Sequence, residues 1–330
     1  MTRHLPDLSR RSLLQLAGAS LLAGASSASF AQAWPKGTLR FISQSSPGDA
    51  VDLRLRDFVE HLGPHLNGVS RIVDNKPGAG GVIAAQSLLS AESDGQTVFL
   101  GNASMTILPS YHRNLPFSPQ RDFTPVALSG QAPNALAILA TRPEKTLGAW
   151  LESARKRQGG LNYGSAGTGS PGHLYGWQVS DEFGLKAEHV AYRGQVPTLV
   201  DLVAGRLDYI VMDIVSMRPF IEKGDLRVLA VAADERSKYL PDVPTFKELG
   251  YAGYDRLGWT IYFMKAGTPA ATVTKLAQAI NAVNGSPEWE KKRIRQWSDW
   301  QPLTPTQLEA RVKRELEAWG GIIRRGNIHA

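Results

Sequence analysis

Hydrophobic positions along the chain recur in two rhythms. Leu39-Arg40-Phe41-Ile42 is a short apolar run of strand length. Val51, Leu55, Phe58, Val59 and Leu62 then follow at i, i+4, i+7, i+8 and i+11, one face of an amphipathic helix that Gly63-Pro64 ends. Arg71-Ile72-Val73 reads as the next strand, Gly80 to Leu89 as a small-residue helix and Val98-Phe99-Leu100 as a third strand. The second half repeats the theme. Helices are expected over Leu147 to Arg157, Leu199 to Ala204, Met217 to Lys223, Ala271 to Asn284 and Thr306 to Gly320. Strands are expected at Leu161-Asn162-Tyr163, His189-Val190-Ala191, Tyr209 to Met212 and Val228 to Val231. Strands alternating with helices predict an α/β fold with a mainly parallel sheet.

Two longer apolar runs stand apart, Ala135 to Leu139 and Trp259 to Met264. If the chain forms two lobes, these are the strands that cross between them at a hinge. The first lobe then comprises residues 34–134 and 263–330, and the second 135–262.

The 330 residues suffice for two lobes with real cores. At 42% hydrophobic and 20% charged residues, the chain has the composition of a folded globular protein. It contains no cysteine, which excludes disulfides, thiolate metal ligands and cysteine nucleophiles. The net charge is +7; Arg3, Arg10 and Arg11 against Asp7 supply +2 of it, leaving about +5 for residues 34–330. No basic stripe with interleaved aromatics is visible, so nucleic acid is not an expected partner.

The first 33 residues read as a signal peptide. A basic n-region precedes an apolar stretch from Leu13 to Ala25, too short to anchor in a bilayer, and Ala31-Gln32-Ala33 fits a cleavage site. Adjacent Arg10-Arg11 before Ser12-Leu13-Leu14 resembles a twin-arginine export signal. The expectation is an exported, periplasmic protein cleaved after Ala33.

Three glycine-rich loops follow three expected strands: Ser45-Ser46-Pro47-Gly48-Asp49-Ala50, Asn75-Lys76-Pro77-Gly78-Ala79-Gly80-Gly81 and Gly164-Ser165-Ala166-Gly167-Thr168-Gly169-Ser170. A strand, a glycine loop and a helix N-terminus together present backbone N–H groups and the positive end of a dipole, which suits an anion. Ser104, Ser165 and Thr168 can add hydroxyl donors. Asp213, ending an apolar strand, is either a helix cap or a partner for a ligand amine or hydroxyl. Gly167 to Gly172 also matches G-x-G-x-x-G with Glu188 downstream. Pro171 in the turn and the export signal weigh against a dinucleotide. His61 and His65 have metal-ligand spacing, but Gly63-Pro64 between them breaks the helix that the spacing needs. No metal, cofactor or catalytic residue is expected.

At these loops the sequence resembles the Bug solute receptors, the periplasmic substrate-binding components of tripartite tricarboxylate transporters. Asn75-Lys76-Pro77-Gly78-Ala79-Gly80-Gly81 is close to the family's N-[RK]-P-G-A-G-G, and Leu161 to Gly169 matches its L-N-Y-G-S-A-G-x-G. His189-Val190-Ala191-Tyr192-Arg193-Gly194, Leu240 to Thr245 and Ala266-Gly267-Thr268-Pro269 fit further signatures, so the resemblance covers nearly all of residues 34–330. It implies a two-lobed, type II periplasmic-binding-protein fold, no enzymatic activity, and a small organic carboxylate handed to a membrane permease by a monomeric receptor. Carried over by position, the ligand contacts are Pro47, Gly48, Asp49, Ala50, Ser104, Ser165, Ala166, Gly167, Thr168 and Asp213, with Tyr192 lining the cleft. One departure is Asp49, where the family's F-P-P-G-G-x-x-D has its second glycine. Turned inward, this carboxylate repels a ligand carboxylate; turned onto the helix, it is a cap. Two other functions stay open here: a receptor that signals to a sensor protein, and an exported serine hydrolase, against which the missing G-x-S-x-G weighs.

Overall fold

The computed structural model describes residues 34–330; the expected signal peptide, residues 1–33, lies outside the described residues. Gly37–Ala330 forms one unit. From its start the chain lays down β1 (Leu39–Ser43), α1 (Ala50–His61), β2 (Arg71–Asn75), α2 (Val82–Leu89), β3 (Thr97–Asn102) and β4 (Phe123–Ala132). Next come β5 (Asn134–Leu139), α3 (Leu147–Lys156), β6 (Leu161–Ser165), α4 (Pro171–Glu182), β7 (Ala187–Ala191) and α5 (Gln195–Val203). Then follow β8 (Tyr209–Asp213), α6 (Ile214–Lys223), β9 (Leu226–Ala232), β10 (Gly258–Lys265), α7 (Ala270–Asn284), α8 (Pro287–Arg295) and α9 (Pro305–Gly326).

The strands form two mixed sheets with one plan, ordered β2-β1-β3-β10-β4 and β7-β6-β8-β5-β9. In each, three strands joined through helices are parallel, and two antiparallel strands complete one side. The chain goes from β1 to β2 on one side and returns to β3 on the other, so strand order reverses between β1 and β3. The same reversal separates β6 from β8. In open α/β sheets, ligands bind outside the carboxyl ends of the strands at such a switch point.

Two passages join the sheets. The first is nearly continuous: β4 runs into β5 with only Pro133 between them. The second is the segment 233–257 leading to β10. Trp259 to Met264 is therefore not split between lobes. β10 pairs with β4 from Gly258 onward, so the expected 262/263 boundary falls inside a strand of the first sheet. Two more expectations shift locally. The helix expected from Gly80 starts at Val82, because Gly78, Ala79, Gly80 and Gly81 all have positive φ. Helix α9 runs six residues past Gly320.

Helix α9 ties the two halves. Its 22 residues span about 33 Å. Leu308 and Val312 pack into the core of the first sheet, while Trp319, Ile322 and Ile323 pack with Tyr175, Tyr209 and Phe246 in the second. Between these contacts, buried Glu315 accepts from Trp259 Nε1 at 2.6 Å and from Arg311 Nε at 2.9 Å, and Arg311 also donates to Gln131 Oε1 at 2.7 Å. Both β10 and the end of β4 are thus pinned to the helix where the chain passes between sheets. Among the described residues no helix is long and apolar enough to cross a membrane.

Candidate functional site

The expected ligand residues occupy the two switch points. Pro47, Gly48, Asp49 and Ala50 follow β1, and Ser104 follows β3. Ser165 ends β6 and Ala166 to Thr168 follow it, and Asp213 ends β8. Past Ser104 the chain reaches the loop after β6: a Cβ on Gly169 would lie 3.0 Å from the Tyr111 ring, and Tyr111 meets His173 edge-on at 6.4 Å. Gly258, at the start of β10, has Asn134 and Asp213 as its neighbours.

The loop after β1 is organised by carboxylates. Asp49 takes the capping position: its Oδ1 accepts from Val51 N and Asp52 N, both at 2.9 Å. Asp52, one turn in and almost fully buried, accepts from Gly48 N at 2.8 Å, Arg56 Nε at 3.0 Å and Asn75 Nδ2 at 2.9 Å. Burial pushes the Asp52 carboxyl up, but its bonds to Arg56, Gly48 and Asn75 outweigh that and hold it below the ordinary value. Asn75 also donates to Ser45 O at 3.0 Å and accepts from Arg56, so the first and second glycine loops form one network. In consequence the N–H groups of Gly48, Val51 and Asp52, which the sequence offered to an anion, already have side-chain partners. After β3, Asn102 accepts from Ser104 N at 3.0 Å, and Ser104 lies at the edge of burial.

The loop after β6 is organised by neutral groups. Ser165 is fully buried; its hydroxyl donates to Gly167 O at 2.9 Å, meets His189 Nε2 at 2.7 Å and accepts from Gly167 N at 3.2 Å. Ser170 caps α4 and donates to Gly167 O at 2.7 Å, while His173 Nδ1 accepts from Gly169 N at 3.1 Å. The His173 and His189 rings stack at 3.9 Å, and Tyr163 stacks on His189 from 5.0 Å. Burial pushes His173 down to about 4; burial and the neighbouring His173 push His189 down to about 3, so both are neutral near pH 7. His173 thus packs beneath the loop as a bond acceptor for it.

These bonds sort the expected residues. The Ser165 hydroxyl is spent inside the loop, whereas Thr168 is exposed at its tip. The Tyr192 hydroxyl donates to Asp201 at 2.7 Å, and its ring packs against the second-sheet core. Asp213 caps α6, accepting from Ser216 N at 2.9 Å and from Gln195, which also accepts from the Ser216 hydroxyl. The Ser165–His189 contact has the reach of a nucleophile and base, but a fully buried serine cannot meet a substrate. Glu188 lies on edge strand β7 opposite Asn162, away from the glycine loop. Among the described residues no group of three or more His, Cys, Asp or Glu side chains is placed to hold a metal ion.

Two residues of the site escaped sequence reasoning. Asp52 carried a signal in its i, i+4 spacing from Arg56. Arg54 carried none: it interrupts no pattern, yet it stands half-buried on α1 beside Phe58, Tyr262 and Trp289.

The chain matches the model of the tripartite tricarboxylate transporter family receptor over residues 58–328. It is 27% identical to the protein BugT of Bordetella pertussis over 303 residues, 89% of this chain and 90% of that one. Its fold is similar to that of a solved periplasmic transporter, with a TM-score of 0.82 and 31% identity over 90% of this chain and 99% of the other. It is also similar to R. palustris Rpa4515 solved with adipate, with a TM-score of 0.81 and 28% identity over 88% and 98% of the two chains. Two mixed five-stranded sheets joined in this way are the type II periplasmic-binding-protein fold expected above.

Proposed function

Since the chain belongs to the tripartite tricarboxylate transporter receptor family, a family of binding proteins and not of enzymes, we propose that it captures a small carboxylate outside the cytoplasm and delivers it to a membrane permease. One observation carries the reading: the glycine loops after β1 and β6 singled out from sequence lie at the switch points of the two sheets, where open α/β sheets bind ligands. A ligand held between them touches both lobes, one around each sheet, and favours the arrangement in which they approach. The passages at Pro133 and at 233–257 serve as the hinge. The adipate bound by R. palustris Rpa4515 supports the ligand class. In this reading residues 1–33 direct export and are removed after Ala33.

A thermal-shift screen tests the proposal, using the chain expressed with its own first 33 residues against small carboxylates and their uncharged amides. A ligand that binds only the folded state raises the midpoint, by about 2.7 kcal/mol of added stability at a hundredfold excess over Kd. The expected result is a rise with carboxylates and none with the matching amides. No rise with any carboxylate contradicts the proposal.

A further inference from the structure

Helix α1 meets β10 and α8 through aromatic rings. Phe58 stacks on Tyr262 at 5.6 Å and meets Trp289 edge-on at 4.8 Å. Opposite charges also join the two helices: Lys292 pairs with Asp57 at 2.8 Å, and His61 meets Glu288 at 3.0 Å. The same three rings line a small cavity, together with Arg54 of α1, Arg293 of α8, Ser129 of β4, and Gln296 and Ser298 beyond α8. The cavity leaves about 10 Å³ for the centre of a water-sized body, room for one occupant of about that size.

Two cations share this cavity, and no Asp or Glu lines it. Among the described residues neither guanidinium forms an ion pair, and Arg54 makes no hydrogen bond either. Arg293 donates to Asn284 O and lies over the Trp300 ring at 5.1 Å, partners without formal charge. Asp299, next to Ser298 in sequence, is paired with Lys238 at 2.6 Å. The contrast lies within the same two helices. Arg56, two residues along α1, has Asp52 at 3.0 Å, and Lys292, the residue before Arg293, has Asp57. Two like charges at one half-buried cavity repel, and a single negative charge between them replaces that repulsion with two attractions. The guanidinium N–H groups and the hydroxyls of Ser129, Tyr262 and Ser298 supply donors for it. A carboxylate, phosphate or sulfate is too large for a space of this size. A halide ion is close to water in size and is a pure acceptor.

We propose that this cavity binds one halide ion, chloride under ordinary conditions, held between Arg54 of α1 and Arg293 of α8. The ion ties α1 to α8 and so steadies the helix whose N-terminus carries the loop after β1. The site does not depend on the receptor reading.

Two measurements test this on the chain expressed with its own first 33 residues. The first follows urea unfolding at fixed sodium concentration while methanesulfonate, too large for the cavity, is replaced by chloride or bromide. The midpoint is expected to rise with either halide and to level off as the site fills, as mass action requires of an ion bound only by the folded chain. Arg54→Met and Arg293→Met each keep much of the side-chain volume, and each is expected to lose the rise. The second is crystallography of the unaltered chain with bromide in place of chloride, which needs no variant to fold. An anomalous-scattering peak is expected in the cavity, between the Arg54 and Arg293 guanidinium groups. A midpoint that does not distinguish halide from methanesulfonate, a rise that never levels off, a rise retained in both folded variants, or a cavity without an anomalous peak overturns the proposal. A peak without stabilisation marks binding at crystal concentration only and overturns it as well.

Discussion

The loop after β1 and the loop after β6 sit at equivalent points of the same topology, and they are held by opposite means. At the first, Asp49, Asp52 and Arg56 surround a helix N-terminus, and Asp52 alone gathers Gly48, Arg56 and Asn75. At the second, the Ser165 hydroxyl and neutral His173 take up the N–H groups of Gly167 and Gly169, and His189, stacked on His173, meets Ser165, all without formal charge. Topology thus sets where a ligand can sit, while side chains decide which charges it meets. The first loop is held by charge and the second by neutral groups.

Acid separates the two walls most strongly. Both histidines have folded pKa values below the usual 6.5, so the folded state favours their neutral forms. Their contribution is complete above that pH and is lost as pH falls from 6.5 toward about 4 and 3, because the unfolded chain binds the protons first. At about 1.4 kcal/mol per pKa unit, His173 alone accounts for on the order of 3 kcal/mol by pH 4, and His189 adds in the same direction. Denaturant titrations between pH 7 and 4 are expected to show this loss, and His173→Gln is expected to remove much of it. Asp52 is still charged over most of this range, because its own pKa lies below the ordinary carboxylate value. A flat stability profile from pH 7 to 4 would erase the contrast.

Replacing Asp52 probes the first wall. Asp52→Ala leaves Asn75 and Gly48 N without an acceptor at a nearly buried position and releases the exposed Arg56. The expected cost is about 2 kcal/mol, the range for leaving buried hydrogen-bond partners unsatisfied, read as a lower urea midpoint. Asp52→Asn retains acceptor capacity and is expected to lose less. The same residue pair was visible in the sequence as Asp52 and Arg56 at i, i+4, but nothing there showed that Asn75, from another strand, would complete it.

That pattern holds more widely. The strands at 39–43, 97–102, 161–165 and 209–213 were legible because their buried runs are short, apolar and bounded by glycine or polar turns. The glycine loops were legible because positive φ at Gly48, Gly167 and Gly169 demands glycine. Helix α4 was not, because it buries His173, Leu174, Tyr175, Gly176, Gln178 and Val179, which removes the polar face that periodicity needs. Nor were side-chain directions legible. Ser165 and Thr168 looked equivalent as donors and Tyr192 looked like a cleft wall; only packing sends Ser165 to His189, Tyr192 to Asp201 and Thr168 to the surface. Asp49 was open between repelling a ligand and capping a helix, and the backbone at 49, extended with φ −74° and ψ 167°, aims it at the cap.

The location of the ligand is the central claim, and amide hydrogen exchange with and without the tightest-binding carboxylate tests it most directly. Slowed exchange is predicted at residues 48–54, 103–106, 165–170 and 213–216, on both walls together. Protection confined to one wall, or centred instead on the open groove between Gln178, Arg256 and Arg325, would contradict a ligand held between the two switch points.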